Sequence, residues 1–109
     1  MKHTLGEFEE IVLLLVAAQH DEAYGLSITQ VIEEKLGRSV TLSSVHTALY
    51  RMEEKGYVQS RVGGATAERG GRRKRFFVIT ALGKMALRES REARNQLWGM
   101  IPKFVIENS

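Results

Sequence analysis

The stretch that decides the fold is residues 41–62, which read TLSSVHTALYRMEEKGYVQSRV. Thr41 or Ser43 is a typical helix N-cap and Gly56 is a typical helix end, so the first part predicts a single helix. Its predicted inner face is apolar and consists of Leu42, Val45, Ala48, Leu49 and Met52. Residues 57–62 alternate in polarity and predict a strand. The stretch therefore predicts a helix that leads directly into a strand.

The other side of this helix carries hydrogen-bonding side chains. With Val45 and Leu49 placed toward the core, the residues that face outward or lie on the flanks are Ser43, Ser44, His46, Thr47, Tyr50 and Arg51. Acidic side chains come only at the far end, as Glu53 and Glu54. A helix that enters the major groove of DNA with its N-terminus first needs this distribution. We therefore predict the six outward residues as DNA contacts.

Several of these residues also have a purely structural interpretation. Ser43 is a candidate cap, and His46 is a candidate for an ordinary surface residue. Tyr50 can rest its ring against a neighbouring hairpin, and Arg51 can pair with a nearby glutamate. The prediction of DNA binding depends on the whole pattern rather than on any single residue.

The charge of the chain is concentrated in one segment. The 109 residues carry a net charge of only +3, yet residues 61–75 hold six cations and one acid, which leaves the remainder slightly acidic. Residues 76–79 predict a second strand, so the basic segment forms the glycine-rich tip of a hairpin. The predicted phosphate or minor-groove contacts are Arg61, Arg69, Arg72, Arg73, Lys74 and Arg75. A basic loop that is merely solvated is the alternative.

The first helix is predicted to be apolar around much of its circumference. Thr4 and Glu7 fit a capping box at its start. One face carries Phe8, Ile11, Val12, Leu15, Val16 and Gln19, and the other side is filled by Leu13, Leu14, Ala17 and Ala18. Such a helix is covered on both sides, and in a chain this short the second cover can be another subunit.

Two more helices complete the pattern. The second opens at residues 24–25 and ends at Gly37, and residues 38–40 predict a connector with at most one bridge of strand. Thr80 is the predicted cap of a long last helix, and Pro102 ends or kinks it. The apolar stripe of this helix is Leu82, Met85, Ala86, Ala93, Leu97, Met100 and Ile101. The order of helices and strands predicts a mainly α (α+β) fold, a winged helix-turn-helix.

Composition excludes several classes of protein. The chain has no cysteine, so disulfide scaffolds and thiolate zinc sites are excluded. Its longest apolar run, residues 11–18, is far shorter than the about 20 residues of a membrane span. The three histidines are far apart and suggest no nucleophile–base pair, so we expect neither an enzyme nor a metal or cofactor site. We expect a cytoplasmic protein. A dimeric interaction module, or an RNA-binding protein using the Arg-Gly loop, is the alternative to DNA binding.

The sequence resembles the PadR family of bacterial transcription regulators, over about residues 5–98. The motifs that carry the resemblance are residues 5–9, 21–25, 43–58 and 68–77, followed by Thr80 and Gly83. The short C-terminus looks like the subgroup with a single C-terminal helix. The chain departs from the family at His46, where a tyrosine is usual, and at Ala81, where a proline is frequent.

The resemblance implies a homodimeric repressor that binds a pseudo-palindromic operator. Residues 1–79 would form the DNA-binding domain and residues 80–109 the C-terminal dimerisation helix, in one compact unit. The implied dimer interface is Phe8, Ile11, Leu15, Met85, Leu97, Trp98 and Ile101. Some members bind flat apolar effectors between the C-terminal helices, which makes Trp98 a candidate effector contact. Plain dimer packing is the alternative role of Trp98.

Overall fold

A computed structural model describes residues 5–63 and 73–107. The chain folds into three helices, a small antiparallel sheet and a C-terminal arm of two further helices, residues 81–107. The helices are α1 (Glu7–Gln19), α2 (Gly25–Leu36), α3 (Leu42–Glu54), α4 (Ala81–Gly99) and α5 (Lys103–Glu107). The strands are β1 (Ala23–Tyr24), β2 (Val58–Gly63) and β3 (Lys74–Ile79), and a short 3-10 turn, His20–Glu22, precedes β1. This is the predicted winged helix-turn-helix arrangement.

The sheet has a strand that the sequence did not predict. Its order is β1-β3-β2, so β3 is central, and Phe77 pairs with Ala23 on one side and Ser60 on the other. Residues 38–40 form the predicted connector, and this segment is irregular and has no bridge of strand. The third strand instead comes directly before α2, where it ties the start of that helix to the hairpin.

The core lies where α1, α2 and α3 meet the inner face of the sheet. Its buried apolar residues are Val12, Leu13, Val16, Ala23, Ile28, Ile32, Val45, Ala48, Leu49, Met52, Tyr57, Val58, Phe77 and Ala86. Each large side chain of this kind stabilises the fold by about 1.5–3 kcal/mol when it leaves water. The core therefore includes side chains from both α3 and β3, which makes the two elements parts of one packed unit.

Helix α1 begins two residues later than a Thr4 cap requires. Gly6 is the N-cap and makes no side-chain cap bond, so Glu7 is the first helical residue rather than the third. The predicted capping box is therefore wrong at Glu7, and Thr4 itself lies outside the described residues. The first turn is instead stabilised by acidic side chains, which favour the positive end of a helix dipole.

These acidic side chains tie α1 to three other parts of the chain. The ion pairs, with their N–O distances, are Arg38–Glu7 at 3.1 Å, Lys55–Glu9 at 3.2 Å and Arg94–Glu10 at 2.6 Å. The cations lie after α2, at the end of α3 and on α4, respectively. The first turn of α1 thus connects the C-terminal helix and the end of α3 to one another.

Only one side of α1 is buried by the rest of the chain. Val12, Leu13 and Val16 are buried, whereas Leu14, Ala17 and Ala18 are exposed. The predicted stripe was partly wrong, because Leu13 was placed outside it. The exposed side leaves an apolar surface that the protomer does not cover.

Helix α4 leaves the core after its first two turns. Thr80 caps it as predicted, accepting a hydrogen bond from the Gly83 N–H at 3.0 Å. Ala86 is buried, but every residue from 91 to 100 is exposed, so the later part of the predicted apolar stripe contacts no core. The helix ends at Gly99, and Ile101 lies beyond it. No helix in the described ranges is long and apolar enough to cross a membrane.

Candidate DNA interface

The N-terminus of α3 is capped by Thr41. Its side-chain oxygen accepts a hydrogen bond from the Ser44 N–H at 3.0 Å, and the Ser44 hydroxyl donates to the Thr41 carbonyl at 2.8 Å. Of the two predicted caps, Thr41 is therefore the right one. Ser43 is left exposed with its hydroxyl uncommitted to capping, so its predicted role as a DNA contact stays compatible with the fold.

Most predicted outward residues of α3 lie in solvent. Ser43, Ser44, Thr47, Tyr50 and Arg51 are exposed. The opposite face buries Val45, Ala48, Leu49 and Met52 as predicted, whereas Leu42 is 41% exposed and does not belong to the core. No acidic residue lies in the first turn of α3. The exposed face of α3 is thus polar and free of negative charge where it begins.

His46 and Tyr50 differ from the other outward residues. His46 is only half exposed, and its ring centroid lies 5.9 Å from that of Tyr50. The Tyr50 ring lies 6.1 Å from Phe77 in an edge-to-face arrangement, which is the contact of the alternative interpretation, in which Tyr50 rests on the hairpin. Tyr50 remains 45% exposed, which leaves its outer edge accessible.

Arg51 keeps its charge available. None of the ion pairs formed within residues 5–63 and 73–107 includes it, so the alternative interpretation, a pair with a glutamate, is not observed there. Its side chain lines a shallow cleft of about 500 Å³ between α3 and the first turn of α1, together with Ser44 and Thr47. This cleft runs along the same face of α3 as the other polar residues.

Two of the predicted hairpin cations, Arg69 and Arg72, lie outside the described residues. A third, Arg61, is exposed but has partners within the chain, and its guanidinium carbon lies 5.0 Å from the centroid of the Phe76 ring. Its Nη2 also donates to the Asp21 carbonyl at 3.3 Å. Arg61 therefore has two intramolecular partners that a phosphate would have to replace.

Lys74 and Arg75 also have partners at the base of the hairpin. The Lys74 Nζ lies 4.4 Å from the centroid of the Tyr24 ring. Arg75 Nη1 donates to the Ser60 hydroxyl at 3.0 Å, and that hydroxyl donates to Glu53 Oε2 at 2.6 Å. These contacts join the hairpin to β1 and to the last turn of α3.

Arg73 differs from the other hairpin cations that the structure describes. It is exposed just before β3, and no hydrogen bond or ion pair within the described part of the chain engages it. The four described cations thus divide into Arg73, which is exposed, and Arg61, Lys74 and Arg75, which brace the hairpin. Sequence reasoning missed this division because the partners come from distant elements.

The predicted dimer residues differ in exposure. Phe8, Ile11 and Leu15 are half-buried against the core, and Ile101 is half-buried just beyond the end of α4. Met85, Leu97 and Trp98 are exposed, and Trp98 is 63% exposed. Trp98 borders an open cleft of about 560 Å³ between α1 and α4, which is also lined by Leu14 and three arginines. Within residues 5–63 and 73–107, no side chains gather in a way that would hold a metal ion.

A family model decides the classification. Residues 12–89 match the transcriptional regulator PadR-like family. The chain belongs to this family. As a PadR-like protein it is a DNA-binding transcriptional regulator rather than an enzyme, and both predictions are thereby confirmed. No match is found among the curated proteins.

Solved structures share the fold of this PadR-like chain. A PadR-like transcription factor from Bacteroides fragilis is 22% identical, with 83% of this chain and 82% of that chain covered and a TM-score of 0.70. A transcriptional regulator from Clostridium thermocellum is 24% identical over 94% of this chain and 99% of that chain, with a TM-score of 0.69. Bacillus subtilis PadR in complex with operator DNA is 23% identical over 75% of this chain and 45% of that chain, with a TM-score of 0.65.

Proposed function

We propose that this PadR-like regulator binds a pseudo-palindromic operator as a homodimer and represses transcription there. The observation that carries the proposal is the exposed polar face of α3, which is free of acidic residues in its first turn and lies beside a basic hairpin. Such a helix suits the major groove, because its hydroxyl and guanidinium groups can bond to base edges.

Different residues have different parts in the proposed contact. Ser43, Ser44, Thr47 and Arg51 are the candidates for base contacts, with the exposed edge of Tyr50 at the border of the surface. The hairpin supplies phosphate contacts, first through Arg73. The Bacillus subtilis relative, whose structure contains operator DNA, has the same fold and supports this assignment by likeness.

A second copy of the chain is the proposed partner of the C-terminal arm. A helix exposed on all sides is not stable alone in water, and the arm carries an apolar series in which Leu97, Trp98, Met100 and Phe104 are all exposed. The exposed Leu14 of α1 offers a complementary apolar surface. On this proposal residues 1–79 bind DNA and residues 80–109 dimerise.

The proposal also includes an effector site beside Trp98. Trp98 and the cleft beside it form a surface on which a flat apolar molecule can stack at the interface of the two copies. Binding there would change the relation between the two α4 helices and release the operator. We place the protein in the cytoplasm, where such an operator is accessible.

The proposal is tested by selection from a random-sequence duplex library, with the purified protein as the bait. We expect enrichment of one pseudo-palindromic duplex, and a mass by light scattering of twice 12.3 kDa. Absence of any enriched duplex would overturn operator binding. A protein that stays monomeric at micromolar concentration would overturn the dimer.

A further inference from the structure

The imidazole of His46 lies against Gly25, the first residue of α2. A Cβ added at Gly25 would overlap His46 Nε2 and would lie 2.6 Å from Cδ2. Gly25 does not have a positive φ angle, so its backbone does not require glycine. The lack of a side chain at Gly25 therefore provides the space into which His46 fits.

The residue before Gly25 contacts the hairpin instead. The ring of Tyr24 lies edge-to-face with Phe76 at 5.7 Å and beneath the Lys74 ammonium. The Tyr24 N–H donates to the Ser27 hydroxyl at 3.0 Å, which secures this residue at the start of α2. Two successive residues at the junction of β1 and α2 thus contact the two elements that are proposed to meet DNA. Gly25 contacts α3 at His46, and Tyr24 contacts β3 at Phe76 and Lys74.

A second connection between α3 and the hairpin runs through aromatic rings. His46 packs near Tyr50, and Tyr50 packs on Phe77 of β3. His46 therefore lies between Gly25, at the start of α2, and the ring of Tyr50, which packs α3 against the sheet. Its loss would change the spacing between α3 and the hairpin while leaving the buried core intact, because the core residues of α3 lie on the other face.

We propose that His46 is a positioning residue for DNA binding and does not read a base. Seated on Gly25, its imidazole holds α3 and the hairpin at the separation at which both contact the same duplex. This inference rests on the proposed DNA binding, and it removes His46 from the set of base-reading residues. Ser43, Ser44, Thr47 and Arg51 remain the candidates for that role.

Gly25→Ala tests the inference without touching the His46 side chain chemically. The new methyl group meets the movable end of the imidazole, so we expect the ring to be displaced and the fold to be retained. The probe is the duplex that the wild-type protein selects from a random library. We expect Gly25→Ala, His46→Ala and the double variant each to bind it about tenfold more weakly, because all three lose the same contact.

Salt dependence separates positioning from base reading. A displaced hairpin loses phosphate contacts, so the slope of log affinity against log salt should become shallower in all three variants. Removing a base reader would leave the slope unchanged and relax selectivity at one base pair only. The control is Gln30→Ala, because this uncharged side chain is exposed on α2 and belongs to none of the surfaces proposed to contact DNA or a second copy. Its duplex affinity should equal that of the wild type.

Three results would overturn the inference. The first is a loss of duplex affinity in the double variant that equals the product of the two single losses. The second is an unchanged salt slope in His46→Ala, and the third is unchanged duplex affinity in Gly25→Ala. Thermal melting of each variant establishes that it is folded, and His46→Ala carries the salt test if Gly25→Ala does not fold. Failure of the wild-type protein to select any duplex would instead overturn the proposed function, so the two failures are distinguishable.

Discussion

The carbonyl oxygen of Tyr57 lies directly against Gly83, in the first turn of α4. A Cβ on Gly83 would overlap this oxygen and would lie 2.7 Å from Ile79 Cγ1. The same carbonyl accepts a hydrogen bond from the Thr80 N–H at 3.0 Å. The start of α4 is therefore packed tightly on the turn between α3 and β2, and no side chain fits between them.

We expect Gly83→Ala to destabilise the protein by about 1–3 kcal/mol, because the overlapping atom belongs to the backbone and cannot swing away. Helix propensity alone predicts the opposite sign, since alanine is favoured over glycine in helices by about 1 kcal/mol. Urea denaturation measures the difference. The same change at Gly99, where the space is open, should be neutral or stabilising. Equal effects at the two positions would contradict the tight packing.

Much of this fold follows from local patterns in the sequence. The sequence predicted the ends of α2, the Thr80 cap and the two long strands. The signals for them are local, since a glycine or threonine marks the end of a helix and alternating polarity marks a strand within a few residues. The winged helix-turn-helix then follows from the order of elements. The PadR resemblance, confirmed by the family match, rests on the α3 and hairpin motifs.

What the sequence could not show depends on distant partners. Strand β1 is only two residues long, and its pairing of Ala23 with Phe77 joins segments far apart in the chain. The braced state of Arg61 depends on the Asp21 carbonyl, and the seating of His46 depends on Gly25. A pattern of residue types contains no signal for such contacts, so the sequence could not indicate which of the predicted DNA contacts also have partners within the chain.

His20 occupies a backbone conformation that favours glycine, with φ 54° and ψ −128°. Such a conformation costs a residue with a Cβ of the order of 1–3 kcal/mol. We therefore expect His20→Gly to raise the free energy of unfolding by about 1 kcal/mol, after the entropy cost of glycine. Its weak pair with Asp21 is exposed and contributes little. Ala18→Gly, in the exposed part of α1, should destabilise instead, and stabilisation by both changes would contradict the prediction.

The hairpin cations should differ in their effect on DNA affinity. Arg73→Ala should make the slope of log affinity against log salt shallower by about one, because each phosphate contact releases about one counterion. Arg61→Ala should leave the slope nearly unchanged, since its guanidinium is already engaged by Phe76 and Asp21. Fluorescence anisotropy over a range of salt concentrations measures both. Equal changes in slope would show that Arg61 leaves its partners to contact phosphate.

The central claim is that the exposed face of α3 reads the operator, and Arg51→Ala tests it most directly. The measurement is the affinity of Arg51→Ala and Thr47→Ala for the selected duplex and for random duplex, at one salt concentration. The account predicts a loss of about 1–3 kcal/mol on the selected duplex and little change on random duplex. An equal loss on both duplexes, or no loss on either, would contradict it.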